Sequence, residues 1–103
     1  MQAIVRRAFA AGAAAYVVHR GDAERGTLFL KVSTLDGMAR LLGPPLASFT
    51  GSSAHARAFE DQLAPSGSPE RDVDAHMRRQ REFDPDLWLV EIEDRAGRIF
   101  LDE

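Results

Sequence analysis

The 103 residues suffice for one domain with a modest core, and 45% apolar with 28% charged residues is the composition of a globular protein. The absence of cysteine excludes disulfides, thiolate nucleophiles and thiolate metal sites. The net charge of −3 argues against a uniformly basic nucleic-acid surface, and no apolar run approaches the ~20 residues of a membrane helix, so we expect a soluble, cytoplasmic protein without a membrane partner.

Residues 2–11 predict a short helix. Ile4, Ala8 and Ala11 recur at helical spacing and share one face of that helix. Gly12 follows as the stop, because glycine readily adopts the left-handed conformation that ends many helices.

Three strands follow the first helix. Apolar residues with strand-like patterning predict them over residues 14–20, 27–33 and 38–42. A polar turn bounded by glycines, residues 21–26, joins the first two, and Asp36-Gly37 is a strong hairpin signal between the second and third. We therefore expect a three-stranded antiparallel meander.

The segment 46–68 supports two interpretations. Ser52 or Ser53 fits as the cap of a helix over residues 54–63, whereas residues 57–62 also fit an edge strand. We favour the strand.

Ser68-Pro69-Glu70 predicts the start of a second helix, with Ser68 as the capping hydroxyl and proline at the first helical position. The helix should end at Asp84-Pro85, because the residue before proline is disfavoured in the α conformation. Five residues at helical spacing should cover the sheet: Val73, His76, Met77, Gln80 and Phe83.

The C-terminal residues predict a final hairpin that completes the sheet. A strand over residues 87–92 is followed by a turn at 94–97 and a short strand at 99–101. Strict alternation places Trp88 on one face with Val90 and Ile92, which favours a core position. The expected fold is a single α+β domain over residues 1–103, with an antiparallel sheet of about five to six strands covered by two helices in the order α-β-β-β-(β)-α-β-β.

Three stretches resemble the domain-of-unknown-function family 1491, small proteins typical of alphaproteobacteria. They are residues 20–32, with Arg20-Gly21-Asp22 and Gly26; residues 35–41, with Leu35-Asp36-Gly37; and residues 79–102, with Phe83-Asp84-Pro85-Asp86-Leu87-Trp88. The resemblance spans nearly the whole chain. It implies a short cytoplasmic bacterial protein, and it implies no activity, because none is assigned to the family.

The chain departs from that family pattern at its start. Members usually carry a short apolar, strand-like segment before the first helix, whereas Met1 stands almost at that helix here. Without such a strand we expect an open sheet edge, and open edges invite pairing with another chain.

Charge is unevenly distributed along the sequence. Residues 1–81 carry 11 basic and 8 acidic groups, whereas residues 82–103 carry 2 basic and 8 acidic groups. An acidic C-terminal segment after a basic helix indicates internal charge pairing or a polar partner.

Two carboxylates beside Pro85, those of Asp84 and Asp86, are of the kind that binds Mg²⁺ or divides acid and base roles. Aspartate before proline is, however, also a common helix end. Glu91 and Glu93 fit the solvent face of an amphipathic strand. The three histidines, His19, His55 and His76, lack the spacing of metal ligands. We therefore predict no catalytic residue, no metal site and no cofactor.

Two sets of residues are candidates for contact with a ligand or partner. The first lies at the junction of the second helix with the last long strand: Arg78, Arg81, Asp84, Asp86 and Trp88. The second is a basic helix surface for nucleic acid: Arg71, Arg78, Arg79 and Arg81. Acidic residues are interleaved with these arginines at ion-pair spacing, and no aromatic stacking platform accompanies them, which weakens the nucleic-acid interpretation.

The sequence thus favours a non-catalytic module that binds a protein partner or a second copy of itself as a homodimer. A small enzyme or ligand-binding protein with a site near Asp84 and Trp88 is the first alternative. Nucleic-acid binding through the arginine-rich helix is the second.

Overall fold

The computed structural model describes residues 2–44 and 59–98. Two helices and six strands lie within these ranges, numbered here in chain order. They are α1 (Gln2–Ala10), β1 (Ala14–His19), β2 (Leu28–Ser33), β3 (Met38–Gly43), β4 (Glu60–Asp61), β5 (Ser68–Pro69), α2 (Glu70–Phe83) and β6 (Trp88–Glu93).

The strands form one sheet in the order β1-β6-β2-β3-β4, with β5 also paired to β3. Every pair is antiparallel except β2 with β6, which run parallel. The predicted α+β class and mostly antiparallel sheet are confirmed. The predicted meander is wrong, because β6 lies between β1 and β2 and only β2 and β3 form a hairpin.

The loop between β1 and β2, residues 20–27, holds the start of β6. The Asp22 amide donates to the Asp86 carbonyl oxygen over 2.8 Å, and the Trp88 amide donates to the Thr27 carbonyl oxygen over 2.7 Å. The indole Nε1 of Trp88 donates to the Asp22 carbonyl oxygen over 2.7 Å. These bonds direct the returning chain into the gap between the first two strands.

Two glycines allow this close approach. A Cβ atom on Gly21 or Gly26 would overlap the carbonyl oxygen of Asp86. Only a residue without a side chain lets the two backbones come together here. The glycine-bounded turn was recognised in the sequence, but its role in admitting a distant strand was not.

The first helix ends in a Schellman motif. Gly12 has φ +87°, its amide donates to the Phe9 carbonyl oxygen over 3.0 Å, and the Ala13 amide donates to the Ala8 carbonyl oxygen over 2.8 Å. Ala8 and Ala13 are both buried, so the motif also packs the helix end onto the sheet. Ala11 is exposed rather than on the apolar face, because it lies in the turn after α1.

The two helices are associated with separate apolar clusters, which lie on opposite faces of the sheet because alternate residues of β2 and β6 belong to each. The cluster with α1 contains Ala8, Ala13, Ala15, Leu30, Val32, Leu42, Val90 and Ile92. The cluster with α2 contains Phe29, Ala39, Leu41, Val73, Met77, Leu87 and Leu89. The protein is therefore a three-layer arrangement, and the α1 and α2 sides of the sheet are named by these clusters below.

The start of α2 differs from the prediction by one residue. Pro69 is the N-cap, without a side-chain capping bond. Ser68 lies one residue earlier, in β5, where it pairs with Ala39 of β3, so its hydroxyl is not at the capping position. Glu70 and Asp72 occupy the first turn, where the helix dipole favours acidic groups.

The apolar face of α2 is shorter than its sequence pattern. Val73 and Met77 are buried, but Phe83, predicted to cover the sheet, is 86% exposed. Leu87, beyond the helix end, is fully buried in the cluster with Met77 and supplies the apolar contact there.

Only part of the segment 46–68 is described. Glu60 and Asp61 pair with the end of β3, which agrees with the favoured edge strand at those two positions. Residues 45–58, including His55 and the predicted caps Ser52 and Ser53, lie outside the described residues. The predicted strand at 99–101 also lies outside them, whereas the turn at 94–97 is present, closed by the Gly97 amide donating to the Asp94 carbonyl oxygen over 2.9 Å.

Candidate binding surface

A polar network crosses the α2 side of the sheet around Lys31, which is only 4% exposed. Its Nζ donates to Asp74 Oδ1 over 2.9 Å and lies 3.0 Å from Glu70 Oε1 and 3.5 Å from Glu91 Oε1. Ser33 Oγ donates to Glu70 Oε2 over 3.0 Å. One cation thus joins the first two turns of α2 to the sheet.

Electrostatics at this network favour the charged lysine. Burial opposes the charge on Lys31, but the hydrogen bonds that Lys31 donates to the Asp74 and Glu70 carboxylates outweigh burial and raise its pKa. Burial raises the pKa of Glu91, with Lys31 acting against that rise. Glu91 was predicted on the solvent face, which is wrong, because pairing of β6 with β2 places Glu91 beside Lys31, and α2 lies over that side of the sheet.

Tyr16 lies on the same side of the sheet, next to β6. Its hydroxyl donates to Glu93 Oε2 over 3.1 Å. Burial and the negative charges of Glu91 and Glu93 raise the pKa of Tyr16 to about 12. The surface beneath Tyr16 is therefore acidic.

The outer edge of β1 carries three consecutive exposed apolar side chains. Tyr16, Val17 and Val18 are 45%, 43% and 47% exposed. Within residues 2–44 and 59–98, β1 pairs only with β6, so its other edge has no neighbouring strand there. The pairing register with β6 shifts between Val17 and His19, which marks a bulge near the end of the strand.

An open groove of about 370 Å³ lies between the end of β1 and the C-terminal half of α2. Its lining residues are His19, Arg78, Arg81, Glu82 and Pro85. The imidazole Nε2 of His19 is 3.1 Å from the Pro85 carbonyl oxygen, which ties the end of β1 to the turn after α2.

The five residues predicted at the helix-to-strand junction are divided between the two sides of the sheet. Arg78 and Arg81 line the groove, whereas Trp88 pairs with Leu28 on the α1 side, half-buried. The guanidinium carbon of Arg20 lies 5.8 Å from the Trp88 ring centroid, a cation–π contact.

The two aspartates of that set belong to the turn around Pro85. Asp84 Oδ1 accepts the Asp86 amide over 3.1 Å, and the Asp86 carbonyl oxygen accepts the Asp22 amide. Asp84 ends the helix and Asp86 is exposed. In the described part of the chain no cluster of three or more metal-ligating side chains occurs.

The arginines of α2 are less paired than their spacing predicts. Arg71 lies 4.0 Å from Asp72, but Arg78, Arg79 and Arg81 form no ion pair with a described carboxylate. Asp74 stands four residues before Arg78 yet bonds to Lys31. The sequence indicated internal charge pairing or a polar partner, and within the described residues internal pairing does not extend to the last turns of the helix.

Sequence reasoning missed the β1 edge residues and the Lys31 network. The run Tyr16-Val17-Val18 does not alternate between apolar and polar residues. That pattern was the available signal for exposed apolar side chains on this strand. For Lys31 the available signal was its position two residues after Phe29, which places both side chains on the same face of the strand.

None of the helices in the described ranges has the length and apolar character needed to cross a bilayer. No curated protein sequence matches the chain.

Solved structures similar to this chain come from two bacteria. A crystal structure of a DUF1491 family protein from Caulobacter crescentus CB15 has 38% identity and TM-score 0.79, over 99% of this chain and 88% of that one. An NMR structure of a DUF1491 family protein from the same organism has 38% identity and TM-score 0.78, over 99% and 87%. The solution structure of protein Atu0922 from A. tumefaciens has 38% identity and TM-score 0.71, over 99% and 81%.

The family model described as "Protein of unknown function (DUF1491)" matches residues 1–102. Together with the 38% identity and shared fold of the Caulobacter protein, this match shows that the chain belongs to the DUF1491 family.

Proposed function

We propose that this chain is a non-catalytic interaction module that binds an extended segment of a protein as an additional strand beside β1. A second copy of the chain is one such partner. The proposal assigns the binding to the cytoplasm, the compartment that the sequence predicts.

The exposed edge of β1 carries the proposal. An edge strand offers unpaired backbone donors and acceptors, and natural edges are usually protected by lysine, proline or an inward-pointing charge. The sequence of β1, AAYVVH, contains none of these. Within residues 2–44 and 59–98, the protecting feature of this edge is the bulge between Val17 and His19, and the stretch before the bulge is regular.

The side chains along β1 and β6 indicate which kind of partner segment fits this edge. Backbone bonds give affinity in strand addition, and side chains on alternate faces give specificity. On the α2 side, Glu91 and Glu93 stand one strand behind the edge. A partner segment with apolar residues facing Val17 and a basic residue over Tyr16 is complementary to this surface.

Substitution at the edge tests the proposal. Val17→Lys introduces, within the regular stretch of β1, the charge that edges normally use to prevent pairing, and the Val17 side chain is 43% exposed, so the fold should persist. Leu35→Lys is the matched control, because Leu35 is similarly exposed, at 44%, but lies in the β2–β3 hairpin. Both variants are checked by circular dichroism before use.

Self-association is measured by sedimentation velocity, and other partners are captured from lysate with each variant as bait. We expect Val17→Lys to weaken dimerisation, or retention of a captured protein, by tenfold or more, with Leu35→Lys unchanged. Association that survives Val17→Lys would contradict the edge as the binding surface. Steep salt-dependent retention on heparin that is lost in Arg78→Gln would favour nucleic-acid binding instead.

A further inference from the structure

The groove beside His19 is a second surface, and it stands independently of the β1 edge. We infer that it is a binding site for a single carboxylate group, held by the guanidinium groups of Arg78 and Arg81. The ligand is a carboxylic acid with an apolar body, either a free acid or an acidic side chain of another protein.

Arg78 and Arg81 have no acidic partner among residues 2–44 and 59–98. The chain has 16 acidic and 13 basic residues, so carboxylates are in excess. The cation on the same side of the sheet, Lys31, is surrounded by three of them. Arg78 and Arg81 form no ion pair with a described carboxylate, although acidic residues stand nearby in sequence.

Three carboxylates lie within four residues of these arginines along the chain, and none of them forms an ion pair with either one. Asp74, four residues before Arg78, is held by Lys31. Glu82, four residues after Arg78, lines the groove beside both arginines. Asp84, three residues after Arg81, accepts the Asp86 amide with Oδ1. As far as the described residues show, two guanidinium groups three residues apart on one helix face therefore remain available to an external oxyanion.

Arg78 and Arg81 face a concavity rather than open surface. They line a groove of about 370 Å³ with His19 and Pro85. The contact between His19 and the Pro85 carbonyl oxygen joins the two walls. The pyrrolidine ring and the aliphatic stems of the arginines provide apolar surface for the body of a ligand.

The apolar part of the lining favours a carboxylic acid with an apolar body over a bare inorganic anion. Arg78 and Arg81 contribute two positive charges to the groove and Glu82 contributes one negative charge, so the groove attracts an anion. Guanidinium groups form bidentate contacts with carboxylates and with phosphates. Inorganic phosphate has no apolar part to lie against Pro85 and the arginine stems, so we expect it to bind more weakly than an aromatic carboxylate.

The experiment is an NMR titration of the full chain with benzoate, following backbone amides and arginine side-chain Nε–Hε signals. Benzamide, which has the same shape and no charge, is the ligand control, and inorganic phosphate tests the contribution of the apolar body. Arg78→Gln and Arg81→Gln are compared with Arg71→Gln, an exposed arginine on the same helix outside the groove. Both groove arginines are exposed, so the core is unaffected by their removal.

We expect benzoate to shift signals of His19, Arg78 and Arg81, with affinity reduced about tenfold in either groove variant and unchanged in Arg71→Gln. Equal binding of benzamide, stronger binding of phosphate, or equal effects at all arginines would overturn the assignment. A peptide with one internal glutamate is then compared with benzoate. Tighter binding of the peptide identifies a protein as the source of the carboxylate, and tighter binding of benzoate identifies a free acid.

Discussion

Lys31 is the single lysine of the chain, and its side chain is almost fully buried. A buried ammonium is costly unless it is paired and hydrogen-bonded, and Glu70, Asp74 and Glu91 meet that requirement. The consequence is geometric. Because two of the three carboxylates belong to α2 and the third to β6, the lysine sets the position of the helix over the sheet.

Tyr16 is the only tyrosine of the chain, so its ionisation can be followed alone. Its raised pKa favours the neutral phenol in the folded state, so this contribution to stability is present below about pH 10 and is lost as the pH rises towards about 12. Ultraviolet titration of the folded protein should give a midpoint for the Tyr16 phenol of about 12. Titration in urea should give a midpoint near ~10.

Two variants separate the causes of that shift. Glu93→Gln should lower the midpoint, because it removes one of the negative charges that oppose the phenolate. Glu82→Gln, which does not act on Tyr16, should leave it unchanged. A folded-state midpoint near that of the urea-unfolded chain would contradict the described environment, with circular dichroism at each pH confirming that the fold persists.

The helix α2 shows how a clear periodic pattern can overstate the buried face of an element. Val73, Met77, Gln80 and Phe83 share one stripe, yet burial ends after Met77 and Gln80 is only half-buried. The sheet beneath the last turns is instead covered by Leu87, which arrives after the turn at Pro85. Charge pairing at the start of the helix and apolar contact in its middle therefore hold it in place.

A pair of truncations tests this division. Met77→Ala should reduce the free energy of unfolding by about 2 kcal/mol or more, because it leaves a cavity in a packed cluster. Phe83→Ala should change it by less than about 0.5 kcal/mol, as expected for an exposed surface position. Urea unfolding followed by tryptophan fluorescence measures both. A large loss in Phe83→Ala would show that this side chain is packed.

The position of β6 between β1 and β2 determines how the sheet of the whole molecule is connected. The last described strand pairs with β1 on one side and β2 on the other, so Ala14 is aligned with Glu93 and Leu28 with Trp88. The sheet cannot close around β1 until the C-terminal part of the chain has arrived. Such non-local pairing also makes folding slow relative to a simple meander.

Removal of residues 84–103 should therefore unfold the entire chain instead of only its C-terminal end. Without β6, β1 loses its described strand partner and both apolar clusters lose central members, among them Leu87 and Val90. We expect a collapsed amide spectrum by NMR and loss of the cooperative thermal transition. Deletion of residues 2–10 should be milder, because α1 contributes a single fully buried side chain, Ala8, to the described core. A truncated chain with dispersed signals would contradict this view of the sheet.

Much of the secondary structure was predictable from local chemistry. Helix ends at Gly12 and Asp84-Pro85, the hairpin at Asp36-Gly37 and the strand over 88–93 follow from backbone preferences and apolar patterning that act over a few residues. Membership of a family without assigned activity was also predictable from the sequence. Arg78 and Arg81 were grouped from the sequence, and both line the groove, because three-residue spacing places them on one side of the helix.

The tertiary structure alone decided the strand order, the separation of Trp88 from those arginines, and the pairing of Lys31. Each depends on which segments distant in sequence meet, and the insertion of β6 between β1 and β2 moves the side chains after Pro85 to their faces of the sheet. Local preferences determine whether a residue is helical or extended. Burial and charge neutralisation are properties of the assembled layers, since the same lysine or phenylalanine is stable in a buried or an exposed position according to what packs over it.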